Sequence, residues 1–87
     1  MAPLPRRIKL LYFAALKERL GRESDELVLP PDVSRVADLA RFLPAFRASL
    51  AGVLAGVRIA VGDEFAAPDR ELVEGDVVAL LPPVSGG

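Results

Sequence analysis

The 87-residue chain, 52% apolar with a net charge of -1, is long enough for one domain with a single core and short enough to leave a thin stability margin. No apolar run approaches the ~20 residues of a membrane helix, and "MAPLPRRIKL" lacks the apolar stretch and cleavage pattern of a secretion signal, so a cytoplasmic location and no membrane contact are expected. The absence of both cysteine and histidine removes disulfides, thiolate nucleophiles, thiolate and imidazole metal sites, iron–sulfur clusters and histidine acid–base catalysis, which makes a self-contained enzyme or a metal centre a poor expectation.

The first strand is read in "RIKLLYF", within Arg6 to Phe13, where Ile8, Leu10 and Tyr12 share one face and Lys9, Leu11 and Phe13 the other, outer one. "AALKERLG" then changes to helical period, with Phe13, Leu16 and Leu20 as its stripe and Gly21 as its stop. "SDELVLPP" is a second strand whose direction relative to the first is left open. Ser34 stands at an N-cap position before Val36, Leu39, Ala40 and Leu43, the stripe of the main helix, and Ala37 gives no capping box. Pro44 should end or restart that helix, so "PAFRASLAGVL" reads as a second, shorter helix with Phe46 and Leu50 inward and Gly52 and Gly56 loosening its end.

"VRIAV" is the next strand, and Gly62-Asp63 is a two-residue hairpin turn of the type with glycine first, returning through "EFAA". "PDRELVEGD" is turn-rich, with Leu72 as its apolar anchor and Gly75-Asp76 as its last turn. "VVALL" is a continuous apolar run, expected in mid-sheet and buried on both sides. The order predicts an α+β fold: a β-grasp, ubiquitin-like roll with a mixed sheet of about five strands and helices on one face. Residues 1–81 form its body and residues 82–87 an extended tail.

Charge is unevenly spread along the chain. Residues 1–58 carry ten basic and six acidic side chains, and residues 59–87 only Arg70 against six acids. An acidic C-terminal third suits a basic partner and argues against nucleic acid there, and Arg6 and Arg7 are too few for a nucleic-acid patch. Asp63, Glu64, Asp69, Glu71, Glu74 and Asp76 lie in turn settings and read as solvated loop charges rather than a metal or acid–base cluster.

The ending "LLPPVSGG" raises the functional question. Pro82-Pro83 ends strand pairing and directs Val84, Ser85, Gly86 and Gly87 outward, a reach of at most ~20 Å for six residues. Lacking a Cβ, Gly86 and Gly87 let backbone pass a narrow channel and present the α-carboxylate of Gly87. Composition alone favours a frayed end; the stiff exit moves the reading to a working one. A carboxylate is a poor electrophile and needs activation, and the chain has no GxxxxGK loop to bind ATP, so an activating partner is implied. Ser85 has no histidine or elbow motif beside it and is not a nucleophile.

"IKLLYFAALKERLG" at Ile8–Gly21, "VADL" at Val36–Leu39 and "VEGDVVALLPPVSGG" at Val73–Gly87 resemble, over essentially the whole chain, the MoaD-like sulfur carriers of the MoaD/ThiS family, small subunits of molybdopterin synthase. The one noted departure is Gly62 in a hairpin turn that often holds Asn. The resemblance implies that a MoeB-like enzyme uses ATP to adenylate Gly87, that a persulfide donor supplies sulfur for a thiocarboxylate, and that a MoaE-like large subunit takes the sulfur for the dithiolene of molybdopterin. No cofactor would be bound by the chain itself. It also implies that Phe13, Phe65 and Leu81 dock both partners, with Pro82, Pro83, Val84, Ser85 and Gly86 engaged beyond them; from the residues alone, ordinary core is the better reading of those three side chains. Alternatives are a carrier for thiamine or tRNA thiolation, a ubiquitin-like modifier, and a plain interaction module.

Overall fold

A computed structural model describes residues 5–83 of the chain. Its elements run β1 (Arg7–Tyr12), α1 (Ala14–Leu20), β2 (Ser24–Val28), α2 (Val36–Phe46), a 3₁₀ turn (Ala48–Leu50), β3 (Arg58–Val61), β4 (Glu64–Phe65) and β5 (Val77–Leu81). The strands make one sheet in the order β2-β1-β5-β3-β4. β5 pairs in parallel with β1 and antiparallel with β3, while β1–β2 and β3–β4 are antiparallel. This is the expected mixed five-stranded β-grasp roll. Among the described residues no helix is long and apolar enough to cross a membrane.

Alternation in "RIKLLY" works as read: Ile8, Leu10 and Tyr12 are buried and Lys9 is exposed. Antiparallel β2 brings Leu27 opposite Ile8 on that same inner face. The helical stripe Val36, Leu39 and Leu43 packs over these residues, joined by Leu16, Leu50, Leu72, Val78 and Leu80 in one core. Leu39, Leu43 and Leu50 are fully buried, each contributing about 1.5–3 kcal/mol by leaving water. Gly21 takes the left-handed conformation that stops α1 (φ 68°) and returns its N–H to Lys17 at 2.9 Å. Gly62 is left-handed at the first turn position, and Val61 pairs directly with Glu64, the two-residue hairpin expected of glycine first.

Four expectations need correction. The N-cap of α2 is Arg35 rather than Ser34, and with that shift the third helical residue is Asp38 rather than Ala37. The Asp38 carboxylate accepts the backbone N–H groups of Arg35 (3.0 Å) and Ser34 (3.2 Å), which is the reach-back half of a capping box. Pro44 lies inside α2, which continues to Phe46, and only a 3₁₀ turn follows where a second helix was expected. A proline so near the end forfeits one hydrogen bond in a turn already about to stop. β5 is central but covered on one face only: Val78 and Leu80 are buried, whereas Val77 is exposed and Ala79 and Leu81 are half-buried. Finally, Phe13 is not part of α1's inward stripe; it is the N-cap, and it is exposed.

Candidate functional site

The site is built where the central strand ends. Tyr12 pairs with Leu80, and Arg58 pairs with Leu81. Phe13 follows Tyr12 and Leu81 follows Leu80, so both leave the sheet at one rim, with Arg58 on the other side of β5. On the face that no helix of the described residues covers, the register lines up Leu11, Ala79, Ala60 and Phe65 across four strands. The two alanines keep the middle of this row low between larger apolar side chains. Phe13 is 43% exposed and Phe65 58%, so neither is core; Leu81 is half-buried.

Phe65 does not stand alone. The guanidinium of Arg58 lies 3.7 Å from its ring centroid, a cation–π contact worth about 0.5–1 kcal/mol at an exposed site. The pair also borders a cavity of about 430 Å³ between α2 and the β3–β4 edge, whose walls include Val36, Ala40, Ile59 and Ala66. Ala14, next to Phe13, adopts φ 50°, the left-handed region that a residue with a Cβ rarely occupies. That turn carries the chain from β1 into α1 with Phe13 left at the rim.

Beyond Leu81, Pro82 is half-buried and Pro83 exposed. The chain does not leave the body as abruptly as the proline pair implies. Pro83 lies beside Gly56: a Cβ placed on the glycine would be in van der Waals contact with the proline Cγ, at 3.4 Å. Val84, Ser85, Gly86 and Gly87 lie outside the described residues.

The acidic turn residues are partly structural. Glu74 accepts the backbone N–H of Arg7 at 2.7 Å. Asp76 accepts the N–H of Val73 at 2.8 Å and pairs with Arg70 at 3.2 Å, so it braces the turn rather than standing free in solvent.

One polar centre escaped the sequence reading. Asp25, on β2, is buried on the core side and accepts Tyr12 Oη at 2.7 Å and Arg47 Nε and Nη2 at 3.0 and 2.6 Å, with Arg22 as a further partner. Burial alone pushes this carboxyl upward, but hydrogen bonds from Arg47, Tyr12 and Arg22 prevail and hold it at about 2. Burial, then the bond to Asp25, raises Tyr12 well above its ordinary value. The signal was the alternation in "SDELV", which puts Asp25 on the face of Leu27; an inward carboxylate needs cationic partners. The cluster fastens β1, β2 and the end of α2 behind the strand that leads to Phe13.

Residues 10–87 match the ThiS family. The molybdopterin synthase sulfur carrier subunit of Dictyostelium discoideum is 35% identical over 81 residues, covering 91% of this chain and 94% of the relative. The protein of the same name from Chlamydomonas reinhardtii is 37% identical over 82 residues, covering 92% and 98%. Among solved structures, the complex of subunits 1 and 2 of molybdopterin-converting factor from Helicobacter pylori contains a chain that matches with a TM-score of 0.68 at 26% identity, covering 93% of this chain and 99% of that one. Family match, near full-length relatives and the five-stranded roll agree: the chain is a MoaD-like member of the ThiS family.

Proposed function

We propose that this protein is the sulfur carrier subunit of a molybdopterin synthase. The observation that carries the reading is the pair of relatives bearing that name at 35% and 37% identity over more than nine-tenths of the chain. The geometry supports it: the central strand delivers Pro82-Pro83 at a rim flanked by exposed Phe13, Phe65 and Arg58. A partner gripping that open face would receive the tail beside its contact surface.

In the proposed cycle a MoeB-like enzyme binds the open face through Phe13, Phe65 and Leu81. The Gly87 carboxylate attacks the α-phosphorus of ATP, releasing pyrophosphate and forming an acyl-adenylate. A persulfide sulfur then attacks the acyl carbon and AMP leaves; a thiol reductant cleaves the resulting acyl disulfide, so that the terminal sulfur stays on Gly87 as a thiocarboxylate. A MoaE-like large subunit takes the loaded tail, Val84 to Gly86 threading its channel, and the sulfur becomes part of the dithiolene. The carrier contributes docking, reach and a terminus free of competing thiols; the chain contains no cysteine that could divert the sulfur.

The test is to incubate the purified chain with a MoeB-like enzyme, ATP, a persulfide donor and reductant, and to weigh the intact protein. The expected result is a gain equal to the difference between sulfur and oxygen, followed by its loss when large subunit and acceptor are added. Gly86→Val, or one residue added after Gly87, should block transfer with the fold intact, because the reacting atom is crowded or misplaced. Wild type that never gains the sulfur mass, or an extended tail that transfers normally, would refute the reading.

A further inference from the structure

We propose that Gly56 is a positioning residue: with Pro83 it forms a guide that sets the direction in which the tail departs, and thereby the rate of sulfur loading. The inference rests on the sulfur-carrier reading above. β5 and β3 are antiparallel, and Leu81 at the end of one pairs with Arg58 at the start of the other. Chain continuing past Leu81 therefore runs alongside the residues that precede Arg58, which are Val57 and Gly56. These belong to the segment "AGVLAGV" at 51–57.

That segment is a wall rather than a loose loop. Val53 donates to Leu50 at 3.3 Å and Val57 to Leu54 at 3.0 Å, while Val53, Leu54 and Val57 pack against the core. It holds two glycines of almost equal φ, Gly52 at +81° and Gly56 at +78°. Their surroundings differ. A Cβ on Gly52 would meet nothing within 4 Å, whereas a Cβ on Gly56 would lie 3.4, 3.7 and 4.0 Å from Cγ, Cβ and Cδ of Pro83. The proline ring thus packs beside the glycine, where a methyl group would already be in van der Waals contact and a longer side chain turned toward the ring would press on it.

Displacement matters because Pro83 is the last described residue before the proposed reacting end. Its φ is locked by the ring, so moving the ring re-aims the backbone that follows. Four further residues reach at most ~13 Å, so the direction in which the backbone leaves Pro83 sets the region within which the terminus can be placed. Misplacement by roughly 1 Å is enough to cost up to about a hundredfold in rate.

The two glycines supply their own control. Asparagine tolerates the left-handed region, so Gly56→Asn and Gly52→Asn introduce the same side chain at nearly the same φ, and only the first lies beside Pro83. In the isotope-labelled free chain, the amide resonances of Ser85, Gly86 and Gly87 should shift in Gly56→Asn and stay put in Gly52→Asn. With the activating enzyme, Gly56→Asn should lower kcat for thiocarboxylate formation roughly tenfold or more, with KM for the carrier within about twofold because the docking face is untouched. Gly52→Asn should match wild type. In a Pro83→Ala background the effect of Gly56→Asn should shrink, since the obstructing ring is gone. Where either asparagine variant fails to fold, the aspartate pair at the same two positions repeats the comparison. Equal behaviour of the two positions in both readouts overturns the guide. Failure of wild type to load sulfur overturns the carrier reading instead, and the amide shifts then judge the guide alone.

Discussion

Asp25→Asn removes the one charge around which Tyr12, Arg22 and Arg47 are gathered, while keeping the shape of the side chain. The carboxyl is held at about 2 against an ordinary 3.8. A gap of nearly two units, at about 1.4 kcal/mol per unit, makes the ionised form worth about 2 kcal/mol to the folded state at neutral pH. The Asp25 side chain is only 6% exposed, so little of this is lost to solvent screening. Because the folded value lies below the unfolded one, the contribution is fully present above about pH 4 to 5 and is lost as pH falls from 3.8 through 2. The mutation should cost somewhat more than the titration, about 3 kcal/mol at pH 7, since it also leaves Arg47 without its counter-charge.

The assay is urea unfolding of wild type and Asp25→Asn at a series of pH values from 7 to 2. Glu23 and Asp38 also have lowered values, through Lys17 and through the Arg35 and Ser34 backbone respectively, so both proteins lose stability in acid. Subtracting the two curves isolates Asp25. The difference should be constant from pH 7 to about 5 and narrow progressively toward pH 2. Curves that remain parallel down to pH 2, or a difference below ~1 kcal/mol at pH 7, would refute the account of Asp25 as a buried, cation-held carboxylate.

Phe65→Ala should leave the melting temperature close to wild type, because the ring is 58% exposed, while weakening binding of the large subunit by about 2 kcal/mol, read by titration calorimetry. Unfolding of that variant without a binding defect would return Phe65 to the core. Deleting Gly86 and Gly87 should likewise spare the melting temperature and abolish the sulfur mass gain. Ala14→Gly should raise stability by about 1 kcal/mol in chemical denaturation, because glycine occupies the observed left-handed φ of 50° without the Cβ penalty.

Most of the fold was legible because it rests on local periodicity. The two-residue alternation of Ile8, Leu10 and Tyr12, the helical stripe of Val36, Leu39 and Leu43, and the turn at Gly62 are each written within a few residues, and each appears where expected. What escaped depends on partners distant in sequence or on a frame shifted by one. Asp25 reads as one more strand acid until Arg47, 22 residues away, is brought to it. The helix cap moved from Ser34 to Arg35, and that single step exchanged Ala37 for Asp38 as the residue able to reach back.

The misreading of β5 is the most informative, because its cause bears on function. Five consecutive apolar residues look the same whether helices cover both faces of a sheet or one, and periodicity within the run carries no information to decide it. Counting helices does: α1, α2 and a 3₁₀ turn contribute to a single core with Val78 and Leu80, and among the described residues no further element remains for the other side. Val77, Ala79 and Leu81 are therefore apolar where this chain's own core has no use for them, in register with Lys9, Leu11 and Arg58 and one rim away from Phe13. Joined to Leu11, Ala60 and Phe65 across the sheet, they make the row of apolar side chains on which a docking partner is proposed to sit. In the proposed function that surface surrounds the strand from which the reactive tail departs, so the partner that covers it also receives the terminus.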